Sequence, residues 1–108
     1  MVMAEISITP IGTGNTSVSF YVARAVESIK DMPNVEYLLN SMGTVIESDD
    51  IDSILTASKG MIETLHNLGV DRVGVILKID SRADKHTTMD QKVEAVHRHL
   101  GTDANDGG

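Results

Sequence analysis

Residues 2–11 alternate between apolar and polar positions. Val2, Ala4, Ile6 and Ile8 share one side, and Met3, Glu5, Ser7 and Thr9 the other. A period of two predicts a strand with one buried and one polar face, closed by Pro10 and Gly12. Beyond Gly12-Thr13-Gly14-Asn15-Thr16 the period changes. Val18, Val22, Ala25, Val26 and Ile29 recur at helical spacing. Thr16 or Ser17 is placed to cap that helix by accepting an orphan N–H. Asp31-Met32-Pro33-Asn34 stops it, because a residue before proline avoids the helical region. Val35–Leu39 and Thr44–Glu47 read as two further strands. The turn residues Asn40-Ser41-Met42-Gly43 join them closely enough to predict an antiparallel hairpin.

A second helix follows, capped by Asp49 or Asp50, with Asp52 in its positive first turn. Ile51, Ile54, Leu55, Met61, Ile62, Leu65 and Leu68 are expected to form one stripe, and Gly69 suits the position just past the helix. A fourth strand spans Arg72–Asp80, with Val73, Val75, Leu77 and Ile79 on one side. Residues 81–87 read as a polar loop. Thr88–Leu100 reads as a third helix with Met89, Val93, Val96 and Leu100 in line and a Thr88/Gln91 capping box. Residues 101–108 read as a short disordered tail.

The order β-α-β-β-α-β, with right-handed crossovers, gives a four-stranded antiparallel sheet with helices on one face. The expected class is α+β, ferredoxin-like, with an extra C-terminal helix and a single domain over residues 1–100. The sheet's other face would carry Glu5, Ser7, Thr9, Arg72, Gly74, Ile76 and Lys78. Such a mixed face is expected to be covered by another subunit, by the extra helix, or by a ligand held between them.

Composition narrows the chemistry. The chain has 108 residues with 9 Lys+Arg against 16 Asp+Glu, a formal net charge of −7. That field repels phosphate backbones, so nucleic acid and anionic membrane are poor partners and a cationic small molecule is a better one. Phe20, Tyr21 and Tyr37 are the only aromatic residues, too few for a base-stacking platform. Cysteine is absent, which excludes disulfides, thiolate metal sites and a cysteine nucleophile. No apolar run reaches the roughly 18 residues of a membrane span, and Met1-Val2-Met3-Ala4-Glu5 lacks a basic leader flank, so a cytoplasmic location is expected.

The candidate motifs are weak taken singly. Gly12-Thr13-Gly14-Asn15-Thr16-Ser17 resembles the start of a dinucleotide fingerprint, but Ser17 stands where the third glycine belongs and the following strands form a hairpin. A helix-capping loop accounts for it, and its N–H groups can also hold a polar ligand atom. Glu47-Ser48-Asp49-Asp50-Ile51-Asp52 lacks the spacing, glycine and closing glutamate of a calcium loop. Glu47 differs from its neighbours in lying at a strand end, where it can face an amine or a cation. His97 and His99 point to different sides of a helix, and His66 and His86 lie elsewhere, so no metal site or Ser-His-Asp set is expected. Asp80-Ser81-Arg82-Ala83-Asp84 reads as a loop tied by arginine–carboxylate pairing, or as an interface or gating loop.

Several segments together resemble the small thiamine-binding protein family: Ala4–Pro10 with Gly12-Thr13, Thr16–Ala23, Met42-Gly43-Thr44-Val45-Ile46-Glu47, Asp71-Arg72-Val73, Lys78–Asp84 and Lys92–Val96. The resemblance covers residues 3 to 100. It implies a ferredoxin-like fold and dimers that pair into tetramers. It also implies binding of thiamine or its hydroxymethylpyrimidine part, with no cofactor and no catalysis. Family contacts on the first strand and around the hairpin carry over to Ser7, Met42, Gly43 and Thr44. Asn40 and Glu47 join them by proximity. The chemistry fits such a ligand. Hydroxyls of Ser7 and Thr44 serve either edge of an aminopyrimidine, Glu47 accepts from its amino group, Met42 offers a polarizable contact, and Gly43 allows close approach. The alternatives are a ferredoxin-like regulatory or interaction module that oligomerises without a ligand, and a small hydrolase.

Overall fold

A computed structural model describes residues 1–14, 18–83 and 93–100. The elements are β1 (Val2–Ile11), α1 (Ser19–Glu27), β2 (Glu36–Asn40), β3 (Gly43–Ser48), α2 (Ile51–Asn67) and β4 (Arg72–Ser81). Residues 93–100 form a further helix. The strands pair in the order β2-β3-β1-β4, and every pairing is antiparallel. This is the ferredoxin-like α+β arrangement, with an added C-terminal helix.

The alternation in β1 decides which side is covered. Val2, Ala4, Ile6 and Ile8 are all buried, and Ile46 of β3 is buried beside them. From the helices, Ala25, Val26, Ile29, Ile54, Ala57, Met61 and Leu65 close the same core. The opposite face carries Glu5, Ser7, Val45, Ile76 and Lys78. Neither that face nor the C-terminal helix is sealed by the other. Ile76 remains 73% exposed, while Val93, Val96 and Leu100 are 52%, 59% and 62% exposed.

The buried side of α2 is narrower than the expected stripe. Ile54, Ala57, Ser58, Met61 and Leu65 are buried, whereas Ile51, Leu55 and Leu68 are exposed. A helix resting on a flat sheet buries only the residues that point straight down, and small Ala57 and Ser58 fill that line while the larger residues flank it. Asp50 is the cap. Its Oδ1 accepts from the Ser53 backbone N–H at 2.6 Å, and Asn34 Nδ2 donates to its other oxygen at 2.8 Å. Gly69 takes φ +93°, which lets the Val70 N–H reach back to the Leu65 carbonyl at 3.1 Å. His66 Nδ1 lies 2.8 Å from the Val70 carbonyl and donates to it, so this histidine closes a helix.

The start of α1 and the end of β4 differ from the expected boundaries. The N-cap of α1 is Val18, with no side-chain cap, and the expected caps Thr16 and Ser17 lie outside the described residues. The Thr88/Gln91 capping box and the tail over 101–108 lie outside them too. The expected loop from residue 81 begins later. β4 includes Ser81, and the Arg82 N–H still donates to the Met1 carbonyl at 3.1 Å.

Two outcomes follow from this packing. Met61→Ala should lower the unfolding free energy by about 2–5 kcal/mol in urea denaturation, because it empties a fully buried site. Leu55→Ala, on the exposed flank, should change it by less than about 0.5 kcal/mol. The second outcome concerns pH. The Ser53 backbone N–H, then the Ser53 hydroxyl and Asn34, hold the Asp50 carboxyl below its ordinary value. That contribution is complete above the ordinary aspartate range and is lost as pH falls through the lowered value. The stability advantage of the native chain over Asp50→Asn should therefore shrink on acidification, as read by thermal melts across pH.

Candidate functional site

β1 and β3 differ in reach, and the difference leaves a slot. β1 pairs with β4 along all ten residues, Val2–Ile11, but with β3 only from Val2 to Ile6. Past Ile6, β3 gives way to the turn at Ser41 and Met42 that leads back into β2. Ser7, Ile8 and Thr9 thus continue with no strand on that side. The gap is walled by Val18 and Val22 at the start of α1 and by residues 40–44 of the hairpin. It encloses about 200 Å³.

Five of the six residues expected from the sequence meet at this slot: Ser7, Asn40, Met42, Gly43 and Thr44. They do not share a face of the sheet. Thr44 pairs with Ile6 on the helix side and is 2% exposed, whereas Ser7 lies on the open face. The slot collects both because it runs edge-on through the sheet where β3 ends. Met42 is 78% exposed at its rim. The Met42 N–H donates to Asn40 Oδ1 at 2.8 Å, which tightens the turn, and Asn40 Nδ2 donates to Glu5 Oε2 at 3.3 Å on the open face.

Gly43 is there for lack of a side chain. A Cβ on it would stand 2.8 Å from the Ile6 carbonyl oxygen, a backbone atom that cannot swing aside. Only glycine lets the hairpin end approach β1 this closely.

Glu47 does not join the other five. It lies three residues further along β3, roughly 10 Å at strand rise, opposite Met3 and Glu36. There it borders a separate hollow with Met1, Asn34, Val35, Glu36, Ser48 and Asp49. The open face carries a wider, flatter hollow of about 430 Å³ around Met3, Glu5, Val45, Lys78 and Asp80. Among the described residues no group of three or more His, Asp or Glu is arranged to hold a metal ion. No helix among them is long and apolar enough to cross a membrane.

The sequence reading missed two parts of the slot. By spacing Val18 and Val22 belong to the helix stripe, yet they supply the slot's apolar wall. The backbone edge of β1 past Ile6, with no strand beside it, is not legible because it depends on how far a neighbouring strand runs. Pro10 was the available signal, since a proline within a strand marks a side without a partner.

The fold and this slot define a small ferredoxin-like domain with a pocket of about 200 Å³ at a strand end. A family model described as "Thiamine-binding protein" matches residues 4–97, and the chain belongs to that family. A UPF0045 protein of Methanothermobacter thermautotrophicus is 44% identical over 100 residues, covering 93% of this chain and 100% of the relative. A UPF0045 protein of Methanocaldococcus jannaschii is 46% identical over 95 residues, covering 88% and 91%. The crystal structure of a hypothetical protein from that organism superposes with TM-score 0.75 at 42% identity, over 89% of this chain and 95% of the other. A candidate thiamine biosynthesis/salvage protein from Thermotoga maritima superposes with TM-score 0.72 over 88% and 97% of the two chains. At 21% identity that likeness is one of fold.

The close approach at Gly43 is testable directly. Gly43→Ala should destabilise the fold by about 1–3 kcal/mol in chemical denaturation, the usual cost of forcing an atom into occupied space. Ser41→Ala, in the same turn, should stay within about 0.5 kcal/mol.

Proposed function

We propose that this chain is a non-catalytic binding protein for thiamine or its hydroxymethylpyrimidine moiety, acting as a cytoplasmic homo-oligomer in a carrier or sensor role. The observation that carries the reading is the convergence of Ser7, Asn40, Met42, Gly43 and Thr44 on one slot in a chain of the thiamine-binding family. Its size supports a single ring. Pockets that engulf whole drug-sized ligands run to about 300–1,000 Å³. At about 200 Å³ the slot suits the aminopyrimidine, with the cationic thiazolium left outside. The net charge of −7 favours that cation over a phosphorylated form. Among the described residues the slot's walls carry the hydroxyls of Ser7, Thr9, Ser41 and Thr44, donors and acceptors suited to an aminopyrimidine edge.

Self-association is supported by the apolar surface left open. Ile76 and Leu38 on the bare face, and Val93, Val96 and Leu100 on the last helix, are all about half exposed or more. The same observation favours the second reading, an interaction module that assembles without a ligand.

Isothermal calorimetry with thiamine, thiamine phosphate and hydroxymethylpyrimidine separates the two. The binding reading expects heat with the first or third, and silence with all three leaves the interaction module. Thr44→Val should weaken binding by about 0.5–1.5 kcal/mol, or roughly two- to tenfold, through one lost hydrogen bond. Unchanged affinity would remove Thr44 from the site. Light scattering should return a multiple of the 11.6 kDa chain mass, and a monomer at micromolar concentration would contradict the oligomer.

A further inference from the structure

The backbone direction along β1 is fixed by two observations. The Ile6 carbonyl oxygen lies against Gly43, so it points towards β3. The Met1 carbonyl accepts from the Arg82 N–H, so it points the other way, beyond the end of β4. Successive residues of a strand direct their N–H and C=O groups to alternate sides, and each residue sends both to the same side. Even-numbered residues of β1 therefore face β3. After Ile6, the even positions are Ile8 and Pro10, and β3 has ended before both. Pro10 has no N–H. On this side of β1, Ile8 is the residue past Ile6 that presents a donor and an acceptor side by side.

Resting on the proposed pyrimidine-binding function, we infer that the Ile8 peptide edge is the specificity element of the slot. Its N–H donates to a pyrimidine ring nitrogen while its C=O accepts from the adjacent exocyclic amine. The ring thus completes the ladder that β3 abandons. A peptide strand is a poorer occupant, because Pro10 denies it the next hydrogen bond and the hairpin turn and α1 wall off the gap. The apolar walls from Val18 and Val22 flank a flat ring and keep water from competing for the edge. Gly43 acts as a positioning residue, since its close approach sets where β3 stops.

The test uses the full-length chain labelled with ¹⁵N and titrated with hydroxymethylpyrimidine. The Ile8 amide should shift progressively and become protected from hydrogen exchange, while the Met3 amide, directed to β4, stays unchanged. The pyrimidine lacking the exocyclic amine should bind about fivefold more weakly or worse, since the Ile8 carbonyl is left unpaired. A chain made by semisynthesis with an ester in place of the Ile8 amide should lose affinity to a similar degree. If that chain does not fold, the titration still decides. Binding heat with an unmoved Ile8 amide overturns this inference and leaves the proposed function standing. Equal affinity for the two pyrimidines does the same. Absence of heat with any pyrimidine overturns the proposed function and this edge with it.

Discussion

The decisive constraint is a mismatch of strand lengths about one central strand. β1 holds ten pairings on one side and five on the other. A buried peptide group without a partner is costly, so a sheet normally ends its strands together or covers the overhang. Here the hairpin turns back beside Ile6, and α1 begins close enough to wall the overhang with Val18 and Val22. The result is a gap of about 200 Å³ that brings together strand backbone, hydroxyls from both faces and apolar sides. Gly43 sets its position, because no other residue lets β3 end so near the Ile6 carbonyl.

The rest of the fold holds that geometry still. Ile6 and Thr44 face each other at the slot's end, and both are almost fully buried. Ile46, Ile54, Met61 and Leu65 are fully buried in the same core. The hydrophobic layer that stabilises the domain therefore also fixes the site. The bare face is a different region with a different composition. Glu5 and Lys78 are cross-strand neighbours there, Glu36 opposes Glu47, and Ile76 stands exposed among them. That mixture suits a wet, adaptable contact more than a dry pocket.

Much of this is legible in the sequence. The period of two in Val2–Ile8, the turn residues 40–43 and the capping Asp50 each encode a local decision, and local decisions set the order of elements. What escaped were properties that belong to pairs of elements. The alternation puts Ser7 on the open face, but it does not carry through the turn to Thr44. The two-residue turn after Asn40 resets side-chain direction, and Thr44 goes to the helix side. Glu47 looked adjacent because it is close in sequence, but three residues of strand carry it to another hollow. Ile51, Leu55 and Leu68 fit the helical stripe of α2 by spacing alone. They stay exposed because a flat sheet contacts only the residues directly facing it. The overhang of β1 was hidden for the same reason, since the length of a ladder is set by its shorter partner.

The central claim is that a pyrimidine ring occupies the gap beyond the end of β3. Intermolecular nuclear Overhauser effects between hydroxymethylpyrimidine and a methyl-labelled chain test it most directly. The account predicts contacts from the ring's methyl group and aromatic proton to the methyls of Ile8, Val18, Val22 and Met42. Contacts instead to Leu38, Val45 and Ile76 would put the ligand on the bare face and contradict it.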